Sequence, residues 1–568
     1  MSKVFFGGRV YTTPVTASAI NDSAMRNQGV SVGNLGVLIG ASAGGKPKAA
    51  LRFGSPQEAR DTLVSGELLD AVLAAFDPSQ EVGGPAVVMA MRATPATQST
   101  LALYNGAGAA ELINLTSVGY GLRENQVTVK VEAGTNVGKR VTVARGTASY
   151  VGDDLTRRLL TVQYTGTQAT ATVTVNGGTM TLAAPAGTSV VTIDLSTYTT
   201  VQDVVARINA VTDWTASVAS GQGDRGSLTL DTVAAVSAKT ARALDADLQA
   251  VIDWFNSNAQ PLVTAARAVN STSHANGLAN ISTTYLAGAT EPAMVNEDWT
   301  DCFTELQRQD VQWVCPVSSS AAIHAMADAH VQYMSTVGRK ERRAVVGTAS
   351  GTTDAAAIAA AAAIASDRTS LVHLGHYDYD VTGTLVLYPP YISAARVVGM
   401  FCAVAPGTPL TNKLFKCRGL ERNLRNPTDT DVLIDGGVFC LESTELGYKV
   451  VQSITTWLAN DNYNKVEQST GWALDYTARN VRTAVDVLRG QKVTPILLSR
   501  AISITDGVLR ELARPEPQGP EVIVGYRNIL ASADGDVVRV QFECQPVIGA
   551  NFVLVTIYAV PYSGAATA

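Results

Sequence analysis

The sharpest chemical signal in the chain is Gly40-x-x-x-x-Gly45-Lys46, which follows the strand-like run Gly36–Gly40. At that spacing a glycine loop can cradle phosphates with its amides while the lysine reaches the terminal ones. The next residue is Pro47, however, where Mg²⁺ coordination needs a Ser or Thr hydroxyl. The first good helix start comes only at Ser55, whereas a phosphate-binding helix would begin at the lysine. The pattern therefore reads as a Gly-rich surface turn, and an NTP-binding enzyme built on Gly40–Lys46 stands as the rival from a different class. Gly29-Val30-Ser31-Val32-Gly33 has the letters of a nucleophile elbow, but a polar linker precedes it and a strand follows, the reverse of the strand–turn–helix that chemistry requires.

The five histidines form no metal pair by spacing. His324 and His330 are six apart on one expected helix, not four, and His274 is isolated. His373 and His376 could meet Asp378 and Asp380 at a strand end, where an acid/base or metal site is conceivable. The six cysteines, Cys302, Cys315, Cys402, Cys417, Cys440 and Cys544, never form a C-x-x-C pair and sit mostly in apolar surroundings, so buried free thiols are expected, with disulfides formed later in an oxidising environment as the alternative. Two basic clusters remain. Arg339, Lys340, Arg342 and Arg343 read as a solvated loop or interchain contact. Lys413, Lys416, Arg418, Arg422 and Arg425 face only Glu421 within residues 413–425, which is either a solvated helix face or a surface for an acidic partner. No catalytic residue, metal ligand or cofactor is assigned.

These groups are carried by a chain of 568 residues with 46% apolar and only 16% charged residues. So much apolar surface excludes a wholly disordered chain. A net charge of −6 leaves no global positive field for nucleic acid. No apolar run approaches the roughly 20 residues of a membrane span, and the first residues lack a signal-peptide core, so synthesis and release in a cytoplasm are expected.

Along the chain, Val4–Thr13 favours an extended strand weakened by Gly7-Gly8, with a polar linker at Asn21–Gln28. From Gly36 the order is strand, helix and strand, the signature of a largely parallel sheet. Ser55-Pro56-Gln57-Glu58 supplies a hydroxyl cap, a proline at the first turn and a glutamate at the third helical position. Residues 116–235 turn to alternating strands, with Asn176-Gly177-Gly178 as a hairpin turn, a helix capped by Thr200 and a last strand at Leu228–Leu230. The α/β rhythm then resumes. The chain ends in two strong strands, Val537–Gln545 and Phe552–Val560; the first alternates, while the second is apolar on both faces and needs cover on both. The expected fold is mixed α/β. It divides into an extended arm (1–25), an α/β core in two parts (26–115 and 236–400), a β-rich insert (116–235) and a C-terminal α+β domain (401–568).

This order of pieces resembles the contractile tail sheath proteins of myovirus-type phages. Residues 36–92 look like the first unit of the sheath core, the insert with Thr200–Trp214 like the variable outer domain, and Leu286–Met294 with Trp299–Pro316 like the return to the core. Residues 449–490, with Lys449-Val-Val-Gln-Ser-Ile-Thr-Thr-Trp457, Tyr463-Asn-Lys-Val466 and Asp475-Tyr476, are similar to the sheath C-terminal domain. The resemblance implies a structural, non-enzymatic subunit of hexameric rings stacked around a tail tube protein, with baseplate and tail terminator proteins as further partners. Its place would be the virion tail, after assembly in the host cytoplasm. A tailocin or contractile injection system sheath shares these features. Strand exchange between subunits is implied through Val4, Phe5, Phe6, Val10, Tyr11, Val538, Val540, Phe542, Phe552 and Leu554. The inward C-terminal domain of the family would turn Lys413, Lys416, Arg418, Arg422 and Arg425 toward the tube.

Overall fold

The computed structural model describes residues 4–6, 9–11, 34–108, 110–268 and 277–559. Its centre is a seven-stranded sheet in the order Val438–Phe439, Thr369–Val372, Arg343–Gly347, Trp313–Pro316, Gly36–Gly40, Val88–Arg92 and Ala50–Phe53. Every neighbouring pair is parallel except the edge strand Ala50–Phe53. The inner strands are buried on both faces, which their uninterrupted apolar sequences require. Alternate residues serve alternate sides. Leu38, Trp313 and Val345 pack with helices Glu67–Phe76 and Pro390–Ala403. Val37, Ile39 and Val314 pack with helices Asn296–Leu306 and Ala321–Thr336. The Pro56–Leu63 helix starts as its sequence dictates, with the Ser55 hydroxyl accepting from the Glu58 amide.

The inserted region differs from the expected 116–235. The chain leaves the core after Arg92 and re-enters it at the Asn296–Leu306 helix. Two nested bodies lie between. The outer frame joins Thr100–Tyr104, Glu111–Ser117 and Val263–Arg267 in one sheet, and Ala148–Leu155, Lys139–Arg145, Thr128–Ala133 and Ile281–Tyr285 in another. The Asp247–Asn258 helix shares their core. The inner body has its own core around Val162, Val173, Leu182 and Val204, the last on helix Val201–Asn209, capped by a reciprocal Thr200–Asp203 box. Boundaries at 116 and 235 would cut through strands Glu111–Ser117 and Val233–Ser237. The reason is non-local pairing: Glu111–Ser117 takes its partner from Val263–Arg267. Ser227–Thr229 is a 3₁₀ turn rather than the expected strand.

The boundary at 401 also moves. The Pro390–Ala403 helix spans it, and Val438–Phe439 still belongs to the core sheet. The C-terminal helix Gln468–Val485 is fused to that core: Trp472 meets Trp313 edge-on at 5.8 Å, and Trp313 stacks on Phe401 at 4.1 Å. Helix Pro495–Leu512 and the long hairpin Ile523–Asp534/Val537–Pro546 complete the C-terminal part. Phe552–Ala559 forms no strand. Near the N-terminus the expected single strand is instead two three-residue strands, Val4–Phe6 and Arg9–Tyr11, paired antiparallel with Val4 opposite Tyr11. Asn21–Gln28 and Gly29–Gly33 lie outside the described residues.

Candidate assembly surface

The phosphate-loop pattern resolves into a packed turn. The Ala43 and Gly44 amides donate to the Ser65 and Leu63 carbonyls, and the Lys48 amide donates to the Arg92 carbonyl. A Cβ on Gly44 would lie 2.3 Å from the Thr62 carbonyl oxygen, so the glycine serves close packing on the Pro56–Leu63 helix end. The Ala43 and Gly44 amides, already spent on carbonyls, cannot cradle a phosphate.

His274 lies outside the described residues, and the other four histidines are absorbed by structure. His373 does not meet His376, Asp378 or Asp380; its Nε2 lies 2.8 Å from Asp354 Oδ1, and its Nδ1 lies 3.5 Å from Thr348 Oγ1. The order Asp–His–Thr imitates a nucleophilic triad, but Thr348 is buried and its hydroxyl donates to the His373 carbonyl at 3.0 Å. His376 is fully buried against Ser393, and Asp378 pairs with Arg396. Among the described residues, no three His, Cys, Asp or Glu side chains are arranged around a metal position. All six cysteines are free, and burial raises their thiols, those of Cys302, Cys417 and Cys440 to about 12. Such thiols stay protonated and poorly nucleophilic.

The basic clusters turn inward or onto local acids. Arg342 and Arg343 are buried, against the expectation of a solvated loop. Arg342 meets His330 at 2.7 Å, and burial presses that imidazole down to about 3, which leaves it a neutral acceptor. Arg343 reaches Asp475 at 2.9 Å and Gln468 at 2.7 Å, and Arg368 reaches the same carboxylate at 2.8 Å. In the second cluster Lys413 pairs with Glu81 at 2.7 Å, Lys416 with Asp77, Arg422 with Asp354 and Arg425 with Asp429. Arg418 stands 5.4 Å above the Tyr379 ring. The local excess of positive charge is thus met by acids from elsewhere in the same chain.

What remains open is backbone and apolar surface at the C-terminus. Val538, Val540, Phe542 and Cys544 alternate as expected, but their side chains lie half-buried toward their own subunit: Val538 and Val540 against Leu488, Leu497 and Ala501, and Phe542 and Cys544 against the central core. The hairpin offers a neighbour its backbone edges, since neither strand has a second partner among the described residues. Beyond it Phe552, Val553, Leu554, Val555, Ile557 and Tyr558 stand exposed, Leu554 by 93%. A run this apolar left in water is an interaction site or a liability. Sequence reasoning missed the buried carboxylates Asp475 and Glu467, for which periodicity offers no signal beyond an acid inside an apolar pattern.

No family model matches the chain. It is 29% identical over 586 residues to the tail sheath protein of Bacillus phage SP01, covering 99% of this chain and 98% of the phage protein. It is 21% identical over 588 residues to the tail sheath protein of Staphylococcus phage Twort, covering 96% and 97%. In fold it is similar to the crystal structure of the sheath tail protein from Listeria innocua, with a TM-score of 0.56, 14% identity, and 91% and 92% of the two chains covered. End-to-end matches of this kind leave no part of the chain over for another architecture, and the chain is similar over its whole length to the tail sheath proteins of phages.

Proposed function

We propose that this chain polymerises as hexameric rings stacked around a tail tube, held by exchanged strands, and contracts to drive the tube through a host envelope during genome delivery. The observation that carries this reading is the exposed apolar run Phe552–Tyr558 beside a two-stranded sheet with open edges. A strand added to such an edge gains main-chain hydrogen bonds for affinity, while alternate side chains find pockets. The N-terminal hairpin offers a second ladder, whose edges have no other strand partner among the described residues. Partners in this reading are further copies of the chain, the tube protein, and baseplate and terminator proteins at the two ends. Energy for contraction comes from repacking between two discrete sets of interfaces, with no nucleotide consumed.

Because Lys413, Lys416, Arg422 and Arg425 each have an acid of the same chain, contact with the tube through this stretch would depend on exchanging those partners. A tailocin or injection-system sheath would use the same polymer, and neighbouring genes for capsid and terminase would separate the two settings. The test is negative-stain imaging of the purified full chain beside a chain ending at Asn551. The full chain is expected to give ringed tubes and the shortened one a folded, non-polymerising protein. Tubes from the shortened chain would reject strand exchange by this segment.

A further inference from the structure

The exposed run does not leave the body freely. Three points pin its root. The Val547 amide donates to the Val522 carbonyl at 3.2 Å, and the Thr470 hydroxyl donates to the Val547 carbonyl at 3.4 Å. Gly549 lies on Pro409 so closely that a Cβ would sit 2.9 Å from the proline Cβ and 3.0 Å from its Cγ. Asn551 Nδ2 donates to Glu467 Oε2 at 3.4 Å. The next residue, Phe552, is already 83% exposed. The change from pinned to free takes one residue.

Glu467 is an unusual anchor. It is 1% exposed and sits in extended conformation between helices Tyr463–Val466 and Gln468–Val485. Four groups face its carboxylate: the hydroxyls of Ser453 and Ser469 and the carboxamides of Gln452 and Asn551. All are neutral. Burial lifts its carboxyl above the ordinary range, against the pull of those four donors. A buried carboxylate without a cation is costly for stability alone, but it accepts several hydrogen bonds at once, each stronger than a neutral acceptor would make. It also lies at the N-terminal end of the Gln468–Val485 helix, where the backbone dipole favours negative charge. One such group can therefore tie the loop at Gln452–Ser453, the helix start and the arm root together.

We propose that Glu467 and Gly549 are positioning residues that fix the direction in which Phe552–Tyr558 leaves the body, so that it meets the open hairpin edge of a second copy of this chain; this rests on the strand-exchange reading above. Preorganising the exit lowers the ordering cost that a free tail would bring to every contact.

The test compares Glu467→Ala, Glu467→Gln and Gly549→Val in the full chain by amide exchange, circular dichroism and tube formation. In Glu467→Ala, exchange at residues 547–551 is expected to quicken about tenfold, the scale of one lost hydrogen bond, while helix Gln468–Val485 keeps its protection and tubes are lost. Glu467→Gln retains an acceptor of the same size and is expected to recover tubes in part. Gly549→Val is expected to lose tubes with Glu467 untouched. Unchanged exchange at 547–551 in Glu467→Ala overturns the proposal, as does an equal loss of protection through the helix, which would make Glu467 a stability residue only. The chain ending at Asn551 separates the two ideas. If it forms tubes, strand exchange fails; if it does not, and Glu467→Ala and Gly549→Val still polymerise normally, only the positioning role fails.

Discussion

At the scale of single residues, this chain uses its charges to hold itself together. Asp475 is the clearest case, since it compensates Arg343 and Arg368 at once inside the join between the core sheet and the Gln468–Val485 helix. Removing its charge leaves two guanidinium groups with little water, and breaking a buried pair from one side costs about 3–5 kcal/mol. Asp475→Asn is therefore expected to lower the urea midpoint by that order, whereas Lys416→Ala, which releases an exposed pair with Asp77, is expected to cost about 0–1 kcal/mol. Circular dichroism against urea measures both; equal, small losses would mean that the buried cluster is no clamp. Residue types alone showed part of this. Pro47 and the late helix start argued against a phosphate loop, and the packing of Gly44 and the occupied amides give the physical cause. What residue types could not show was pairing at long range. The excess charge of residues 413–425 vanishes only because Asp77, Glu81 and Asp354 arrive from other elements.

At the scale of elements, local signals carried far. The Ser55 cap, the Thr200 box and the Asn176–Gly178 turn form where their sequences require, because each depends on contacts within a few residues. Boundaries failed where a strand's partner is distant. Arg158–Tyr164 pairs with Trp214–Val218 and Arg242–Asp245, so the inner body opens and closes at one place. Arg158 lies opposite Asp245, and the Arg157 carbonyl accepts the Ala246 amide at 2.7 Å. A body with its own core and adjacent ends can be excised without stretching the chain. Replacing residues 158–245 with about three Gly/Ser residues is expected to leave a folded protein that still forms tubes. The outer frame should keep its cooperative melting, and imaging should show thinner tubes of unchanged ring order. Loss of folding would show that the frame needs the inner body, and folded protein without tubes would place subunit contacts on it.

At the scale of the whole molecule, the core and C-terminal helices are joined as one body, because Trp313 stacks on Phe401 and meets Trp472 edge-on across their join and Asp475 bridges it. A rigid body of this kind can change its packing in a tube only if its links to neighbours bend while staying closed. Terminal strands are suited to that, since hydrogen bonds to an edge survive rotation of the domains behind them. An exchanged strand with roughly half a dozen hydrogen bonds at about 0.5–1.5 kcal/mol each gives several kcal/mol. Repetition through a tube turns such links into a mesh by raising the local concentration of every partner. In the proposed assembly the N-terminal hairpin is the second such link. Its strands pair with each other, Phe5 opposite Val10, and with no other strand among the described residues. Deleting residues 1–20 is therefore expected to leave the melting transition in place while abolishing rings and tubes. Light scattering reports the assembly and circular dichroism the fold. Normal tubes from the deleted chain would leave the C-terminal run as the sole exchanged element, and an unfolded product would assign the hairpin to its own subunit's stability.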